Sequence, residues 1–368
     1  MAFVRRPPVV LTSYYRPKPG GLCPRMFRAL QALLDRGCEV HYLAVEPFPI
    51  NHPRCHFHRF PWRRSTESLL FWICFLGLAP FWLGWLCLRH RVAVMLAFDP
   101  VYAAAMQPSR LLLRRRLVLL LRADSVENQR IKGTPDWIVG LLGWLEGMAI
   151  WRAEVFGVCR SVLDSVLGRH VWLKPSRAGV LANDLPAMSW NPPEARRDIL
   201  RLACVGTLET RKNQAVVIEA LGKIGGEGWR LDFYGDGPAR GQLLARVDDL
   251  KLGEKVRFYG WVTRDRIWPN VDLLLLPSLH EGMSNAALEA LASSIPVMAS
   301  DVPEHREILP AASLVDPRVV DDWVGRLRML LSDSGGLSAL REAQAESAHR
   351  LKFDWDQAVF AHIANGPA

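Results

Sequence analysis

From residue 198 onward, apolar runs of strand length alternate with amphipathic stretches of helix length. Strands are predicted over Ile199–Val205, Arg230–Tyr234, Val256–Tyr259, Asp272–Pro277, Pro296–Ala299 and Ser313–Val315. Each is bounded by Gly, Pro or Asp, and helices such as Asn213–Ile224 and Ala286–Ala292 follow. This alternation predicts an α/β domain with a parallel sheet covered on both faces. The first half repeats the theme less cleanly. Strands are predicted over Val9–Ser13, Glu39–Ala44, Val92–Phe98, Leu117–Arg122, Val155–Cys159 and Gly179–Asn183, with helices near Pro24–Leu34, Thr134–Trp151 and Ser161–Leu167. Two doubly wound domains follow, separated by the proline-bearing stretch Leu185–Pro193.

One segment departs from the pattern. Leu69–Leu88 is free of charge and is flanked by Arg63 and Arg64 on one side and by Arg89, His90 and Arg91 on the other. Its length suffices to cross a bilayer. A crossing would, however, separate Val9–Ala44 from everything after Val92, although strands from both belong in one sheet. Gly77 and Pro80 near the middle, with Trp and Phe toward the ends, favour a broken helix or helical pair lying at a membrane interface. A fully buried core helix and a true span are the alternatives.

Length and composition fit this organisation: 368 residues, half of them apolar and 23% charged, suit two folded domains and exclude a disordered chain. Charge adds an asymmetry. Residues 1–190 carry 25 Lys and Arg against 12 Asp and Glu, leaving 21 against 25 for residues 191–368. A basic first half attracts phosphates or anionic lipid headgroups. The seven cysteines are scattered without a C-x-x-C pair, so they read as small buried hydrophobes in a reducing compartment. The opening MAFVRRPPVV lacks an apolar signal-peptide core, and the expected location is cytoplasmic.

The most informative stretch runs from Glu281 to Ala290. It follows the buried run Leu273–Pro277, at the carboxyl edge where open α/β sheets place ligands. Gly282, Met283, Ser284 and Asn285 lead into a helix whose first N–H groups favour an anionic oxygen. Glu281 in the loop and Glu289 just over a turn into the helix can address two parts of one extended ligand, since a carboxylate accepts two hydroxyls of a vicinal diol. The segment PSLHEGMSNAALEALASSIPVMASDVPEHREIL resembles the E-x7-E region of retaining GT-B glycosyltransferases, the group usually called family 4. The resemblance implies that Glu281 meets the transferred sugar and Glu289 the donor ribose.

Further motifs recur in the family's order across residues 200–357. Gly206-Thr207-Leu208-Glu209-Thr210-Arg211-Lys212 is similar to the family's G-R-L-x-x-x-K turn, which places Lys212 on the donor diphosphate. Thr207 replaces the usual arginine, and Arg211 is the neighbouring cation available in its stead. Tyr234–Pro238 matches a G-x-G-P turn and reads as structural. In the first half, Arg16–Gly21 resembles the family's opening glycine loop, with Gly21 close to a donor phosphate or acceptor. Arg122–Glu127 resembles an R-x-H-N-x-E loop in which Asp124 stands at the histidine of the acceptor-side catalytic contact. Phe353-Asp354-Trp355 resembles the C-terminal aromatic beyond which a helix crosses back to the first domain.

The resemblance thus implies a GT-B fold of two Rossmann-like domains facing a central cleft, with residues 1–187 on the acceptor side, 188–352 on the donor side and 353–368 returning. It implies a retaining, metal-independent transfer from a nucleotide-sugar co-substrate, without a cofactor, to a glycan or lipid-linked acceptor. With the basic half and the apolar segment, the expected setting is peripheral, at the inner face of the membrane. His41, His52, His56, His58 and His90 show neither H-x-x-x-H spacing nor acidic companions, so no metal site is expected. A nucleotide-sugar epimerase or another GT-B enzyme is the alternative. Nucleic-acid binding, suggested by the basic half alone, lacks interleaved aromatics and any binding module.

Overall fold

A computed structural model describes residues 7–17, 22–188, 199–332 and 335–364. The chain folds as two units. One comprises residues up to Arg130, Thr134–Ala182 and the tail from Asp354; the other comprises Ile131–Gly133 and Asn183–Phe353. The division at Ala182 corrects the expected one at residue 187. Asn183 donates its N–H to Met283 Sδ at 3.1 Å and Leu185 donates to the Leu351 carbonyl at 3.0 Å, so both already belong to the second unit. Much of the expected linker, 189–193, lies outside the described residues.

The first unit is built on seven parallel strands: β1 (Val9–Ser13), β2 (Glu39–Ala44), β3 (Cys55–Arg59), β4 (Val94–Ala97), β5 (Arg116–Leu121), β6 (Glu154–Gly157) and β7 (Arg177–Val180). Their order is β3-β2-β1-β4-β5-β6-β7. The central strands are apolar on both faces because helices cover both, as β4 and β5 show. Those helices include α1 (Leu22–Asp35), α2 (Leu69–Arg89), α3 (Pro100–Leu113), α4 (Ser125–Ile131), α5 (Asp136–Ile150) and α6 (Arg160–Arg169). The C-terminal helix Trp355–Ile363 packs on α1, where Arg28 Nε lies 2.8 Å from Asp356 Oδ1 and its guanidinium covers the Trp355 ring.

Two expectations change here. Strand β3 was not foreseen, because Cys-His-Phe-His-Arg carries no aliphatic alternation. The Leu69–Leu88 segment is a single helix and not a broken one or a pair. Ser68 caps its start by accepting from the Phe71 N–H, and Phe71, Phe75, Ala79, Leu83 and Leu86 form a continuous buried stripe. Packing of that stripe against the unit carries the helix through Pro80, whose carbonyl accepts from Ser109 Oγ of α3 at 3.0 Å. The opposite face is exposed, with Phe81 at 77%, which sets aside the fully buried core helix.

The second unit has six parallel strands: β8 (Leu200–Val205), β9 (Trp229–Tyr234), β10 (Val256–Gly260), β11 (Leu273–Leu276), β12 (Val297–Ser300) and β13 (Leu314–Val315). Their order, β10-β9-β8-β11-β12-β13, is that of a doubly wound nucleotide-binding sheet. Chain direction across the sheet reverses between the neighbours β8 and β11. Beneath them Leu202, Phe233, Trp323 and Leu327 belong to one buried apolar cluster, which also holds Val217 and Leu221 of α7 (Gln214–Ile224).

Candidate functional site

The crevice outside the carboxyl ends of β8 and β11 is the switch point of the second sheet, where such folds bind ligands. After β8 the chain turns at Gly206, whose φ of +137° only glycine adopts readily. A second turn, after β9, lies against it. Gly206 donates to the Tyr234 carbonyl at 2.8 Å and Leu208 to that of Asp236 at 3.1 Å. A Cβ on Gly235 would stand 2.0 Å from the Gly206 oxygen, and one on Gly237 would stand 2.3 Å from that of Leu208. The glycines of the Tyr234–Pro238 turn are therefore required because two backbones touch.

The first turn ends in a single 3-10 turn, Thr210–Lys212, which precedes α7 and carries both cations. Lys212 Nζ and Glu281 Oε1 are in direct contact, and Arg211 approaches Glu281 Oε2 at 3.3 Å while donating to the His280 carbonyl at 3.1 Å. Arg211 Nε also pairs with Glu209 Oε1 at 2.8 Å. Ser278, just past β11, donates its hydroxyl to Glu281 Oε1 at 2.7 Å. Burial alone would raise the Glu281 pKa, but the Lys212 ammonium and then the Arg211 guanidinium hold it far below the carboxylate range. Glu281 is thus a buried carboxylate, ionised at pH 7, that couples two cations at the sheet's switch point.

Loop Glu281–Ser284 leads into helix Asn285–Ala292, which Ser284 caps by accepting from the Ala287 N–H at 3.4 Å. Glu289 sits in the second turn. Its Oε2 accepts from Trp268 Nε1 at 3.2 Å and its Oε1 pairs with Arg264 Nε at 2.9 Å. The structure thus joins Arg211, Lys212 and Glu281 in one cluster, gives Glu289 a separate anchoring, and leaves Gly282, Met283, Ser284 and Asn285 as the connection between them. Thr207 contributes its carbonyl, which accepts from Gln214 Nε2 at 3.1 Å. Gly21 lies outside the described residues.

Asp124 belongs to the first unit and is fully enclosed there. Arg169 holds it with two hydrogen bonds of 2.6 and 2.8 Å, Ser165 adds one of 2.7 Å, and the Glu127 N–H at the start of α4 adds one of 2.9 Å. Burial raises the Asp124 pKa, but these bonds outweigh it and keep the group below its ordinary value. The same Arg169 reaches Glu146 at 2.9 Å, which His170 also contacts at 3.0 Å. The described partners of Asp124 make it a helix-capping and ion-pairing group inside its own unit.

Several residues of the site were not foreseen. Ser278, Trp268 and Arg264 read as ordinary loop and helix positions, because their partners lie 3, 21 and 25 residues away. His305 is wholly buried beside the cluster; Nδ1 faces the Ser300 carbonyl at 2.9 Å, and Nε2 has no hydrogen-bond partner among the described residues. Burial lowers its pKa, against the opposing charge of Glu281, so the ring is neutral at pH 7. The expectation that the first-half histidines lack acidic companions is also overturned. Glu39 lies 3.0 Å from His41 and 3.2 Å from His56, and His58 lies 2.9 Å from His41. The missed signal was alternation: Glu39-x-His41 and His56-x-His58 suit strands, whereas H-x-x-x-H suits a helix. None of the seven cysteines forms a disulfide, and five of them are buried.

Residues 200–333 match the family model of the glycosyl transferases group 1. A lipopolysaccharide 1,6-galactosyltransferase of Salmonella typhimurium is 32% identical over 153 residues, which are 38% of this chain and 42% of that protein. The chain spans under two-thirds of the length of the curated relatives it matches. Sucrose-phosphate synthase from Thermosynechococcus elongatus superposes with a TM-score of 0.80 over 96% of each chain, at 16% identity. The Anabaena protein HepE, solved with UDP-glucose, superposes with a TM-score of 0.72 over 96% of this chain and 98% of that one, at 15% identity. The two parallel-sheet units have the GT-B fold of glycosyltransferases, and residues 200–333 carry the pattern of the glycosyl transferases group 1.

Proposed function

We propose that the chain is a retaining glycosyltransferase that moves a sugar from a nucleotide-sugar donor to an acceptor without a metal at the reacting centre. The observation that carries this reading is the Lys212–Glu281–Arg211 cluster at the switch point, with Glu289 eight residues further on the next helix. Lys212 and Arg211 are placed to neutralise the diphosphate that leaves with the nucleotide, a role fixed charges perform well in a site that excludes water. Glu281, anchored on both cations, positions the transferred sugar. Glu289, steadied by Trp268 and Arg264, accepts the ribose hydroxyls. The UDP-glucose held by the Anabaena neighbour supports a nucleotide-sugar donor.

The acceptor is a lipid-linked or envelope glycan at the cytoplasmic face of a membrane, with the protein peripheral on that face. Support comes from the first unit. Helix α2 is the one helix among the described residues that is long and apolar enough to cross a bilayer, yet one face of it is packed into the unit. Its Phe81, Trp82 and Trp85 are exposed, and so are Trp137 and Trp144 of α5, which packs on α3 as α3 packs on α2. Exposed Arg63, Arg64, Arg89 and Arg91 flank the helix. A thermal-shift screen of UDP, GDP and ADP tests the donor reading. One of them at about a hundred times its Kd should add about 2.7 kcal/mol of stability, and no response to any of the three would overturn it.

A further inference from the structure

The first sheet carries a group of side chains that the transfer reaction does not use. Alternation along β2 puts Glu39 and His41 on one face, and the register His41 opposite His56 and Leu43 opposite His58 puts both histidines of edge strand β3 on that face too. His90, the residue that closes the C-terminal end of α2, reaches the same place, its ring stacked on that of His41 with centroids 3.9 Å apart. His41 is the hub. Its Nδ1 lies 2.9 Å from His58 Nε2, and its Nε2 lies 3.0 Å from Glu39 Oε1. The ligand atoms of His41, His58 and His90 all lie within 4.8 Å of one another, as do those of Glu39, His41 and His56.

Four imidazoles meet at this edge strand, His41 buried and His56, His58 and His90 partly exposed, so an ion from solvent can reach the lone pairs of three rings. A metal ion takes the place of the ring-to-ring contact between His41 Nδ1 and His58 Nε2. Nitrogens bound tetrahedrally at about 2.0–2.1 Å stand roughly 3.3 Å apart, a spacing that the three rings bracket. The carboxylate on the far nitrogen of His41 is the second partner that metal-bound histidines usually have. It fixes the proton on Nε2 and frees Nδ1 as the ligand. An all-imidazole set selects zinc and its d-block neighbours over magnesium or calcium, which take oxygen ligands.

We propose that His41, His58 and His90 bind one Zn2+ or a chemically similar divalent d-block ion, with Glu39 orienting His41. The ion ties edge strand β3, strand β2 and the C-terminal end of the apolar helix α2 together, and three ligands leave a fourth position for water. The site is a clamp of the first unit and is independent of the transfer reaction.

The test uses the full, untagged chain stripped with a chelator and dialysed against Zn2+ alone. One zinc per chain should be retained, the midpoint of thermal unfolding should rise, and Mg2+ at the same concentration should leave it unchanged. Co2+ in place of zinc should give the visible absorption of a histidine-bound ion. His90→Asn, at a helix end, should lose stoichiometric zinc while unfolding in chelator at the wild-type midpoint. Glu39→Gln should weaken binding about 10- to 100-fold. His52→Asn, outside the cluster, should bind as wild type does. A wild-type chain that retains no stoichiometric zinc, or a folded His90→Asn chain that binds it as tightly as wild type, overturns the proposal. If His90→Asn fails to fold, the wild-type stoichiometry and Co2+ spectrum decide the matter.

Discussion

Lys212 and Arg211 address different oxygens of one buried carboxylate, so removing either cation leaves Glu281 short of charge where water cannot replace it. Breaking such a pair costs up to roughly 3–5 kcal/mol, and less here because Arg211 stays behind. Lys212→Ala should therefore destabilise the protein at pH 7, with a sign that pH exposes. The wild-type Glu281 pKa is depressed, so its contribution is fully present above the unfolded value of 4.5 and declines as the pH falls toward the depressed folded value. The variant lacks most of that depression. Its penalty in urea unfolding should shrink between pH 7 and pH 3, and a constant penalty would mean that Lys212 does not set the Glu281 charge. In binding, the same variant should lose more affinity for a nucleoside diphosphate than for the monophosphate, as calorimetry can show; equal losses would remove Lys212 from the diphosphate. Glu289→Gln keeps the shape but removes the charge that strengthens hydrogen bonds to a diol. It should weaken nucleoside-diphosphate binding roughly tenfold with little change in the unfolding midpoint, and unchanged affinity would contradict the ribose role.

Among the elements, the two glycine turns that follow β8 and β9 act as one unit, since a Cβ on Gly235 or Gly237 of the second would run into the backbone of the first. Gly235→Ala would put a Cβ against backbone and would also strain a φ of +134°, so a loss of roughly 2–4 kcal/mol is expected, with weaker nucleotide binding as the Gly206 turn moves. Gly241→Ala is the control. That position lies within helix Arg240–Asp249 with nothing near its Cβ, and alanine there should be neutral or stabilising by up to about 1 kcal/mol. Equal stability of the two variants would show that the turns do not touch. These turns also show what a sequence reveals at this scale. The strands of the second half were legible within a residue or two, because parallel strands buried on both faces read as short apolar runs between Gly and Pro. Motif spacing singled out Glu281, Glu289 and Lys212, and the structure brings Lys212 and Glu281 into contact. The partners Trp268, Arg264 and His305 were not legible, since tertiary proximity leaves no local pattern, and Ser278, three residues before Glu281, lies in a loop that no periodicity marks. Strand β3 failed for a related reason: histidine fills the positions where aliphatic side chains would have marked the alternation. The break expected at Gly77 and Pro80 failed because packing of the Phe71–Leu86 stripe outweighs the local cost of a proline.

For the whole molecule, the charge asymmetry and the outward face of α2 concern where the protein works. One signal gives only marginal membrane attachment, whereas apolar insertion combined with basic residues is stable. The first unit offers both, in exposed Phe81, Trp82 and Trp85 and in the arginines that flank α2. The two respond differently to salt, because screening over about 8 Å at physiological ionic strength weakens the arginines and leaves buried aromatic surface largely untouched. On sedimentation with anionic phospholipid vesicles, high salt should release only part of the bound protein, and neutral vesicles should retain less than anionic ones. Replacing Phe81, Trp82 and Trp85 by serine should release most of the remainder. Because those three side chains are exposed, the triple variant should keep the wild-type unfolding midpoint and whatever nucleotide affinity the proposed donor site in the second unit gives. A variant that sediments as wild type does would show that the aromatic face does not insert. A wild-type chain that ignores anionic vesicles altogether would remove the membrane acceptor and leave the proposed transfer with a soluble one.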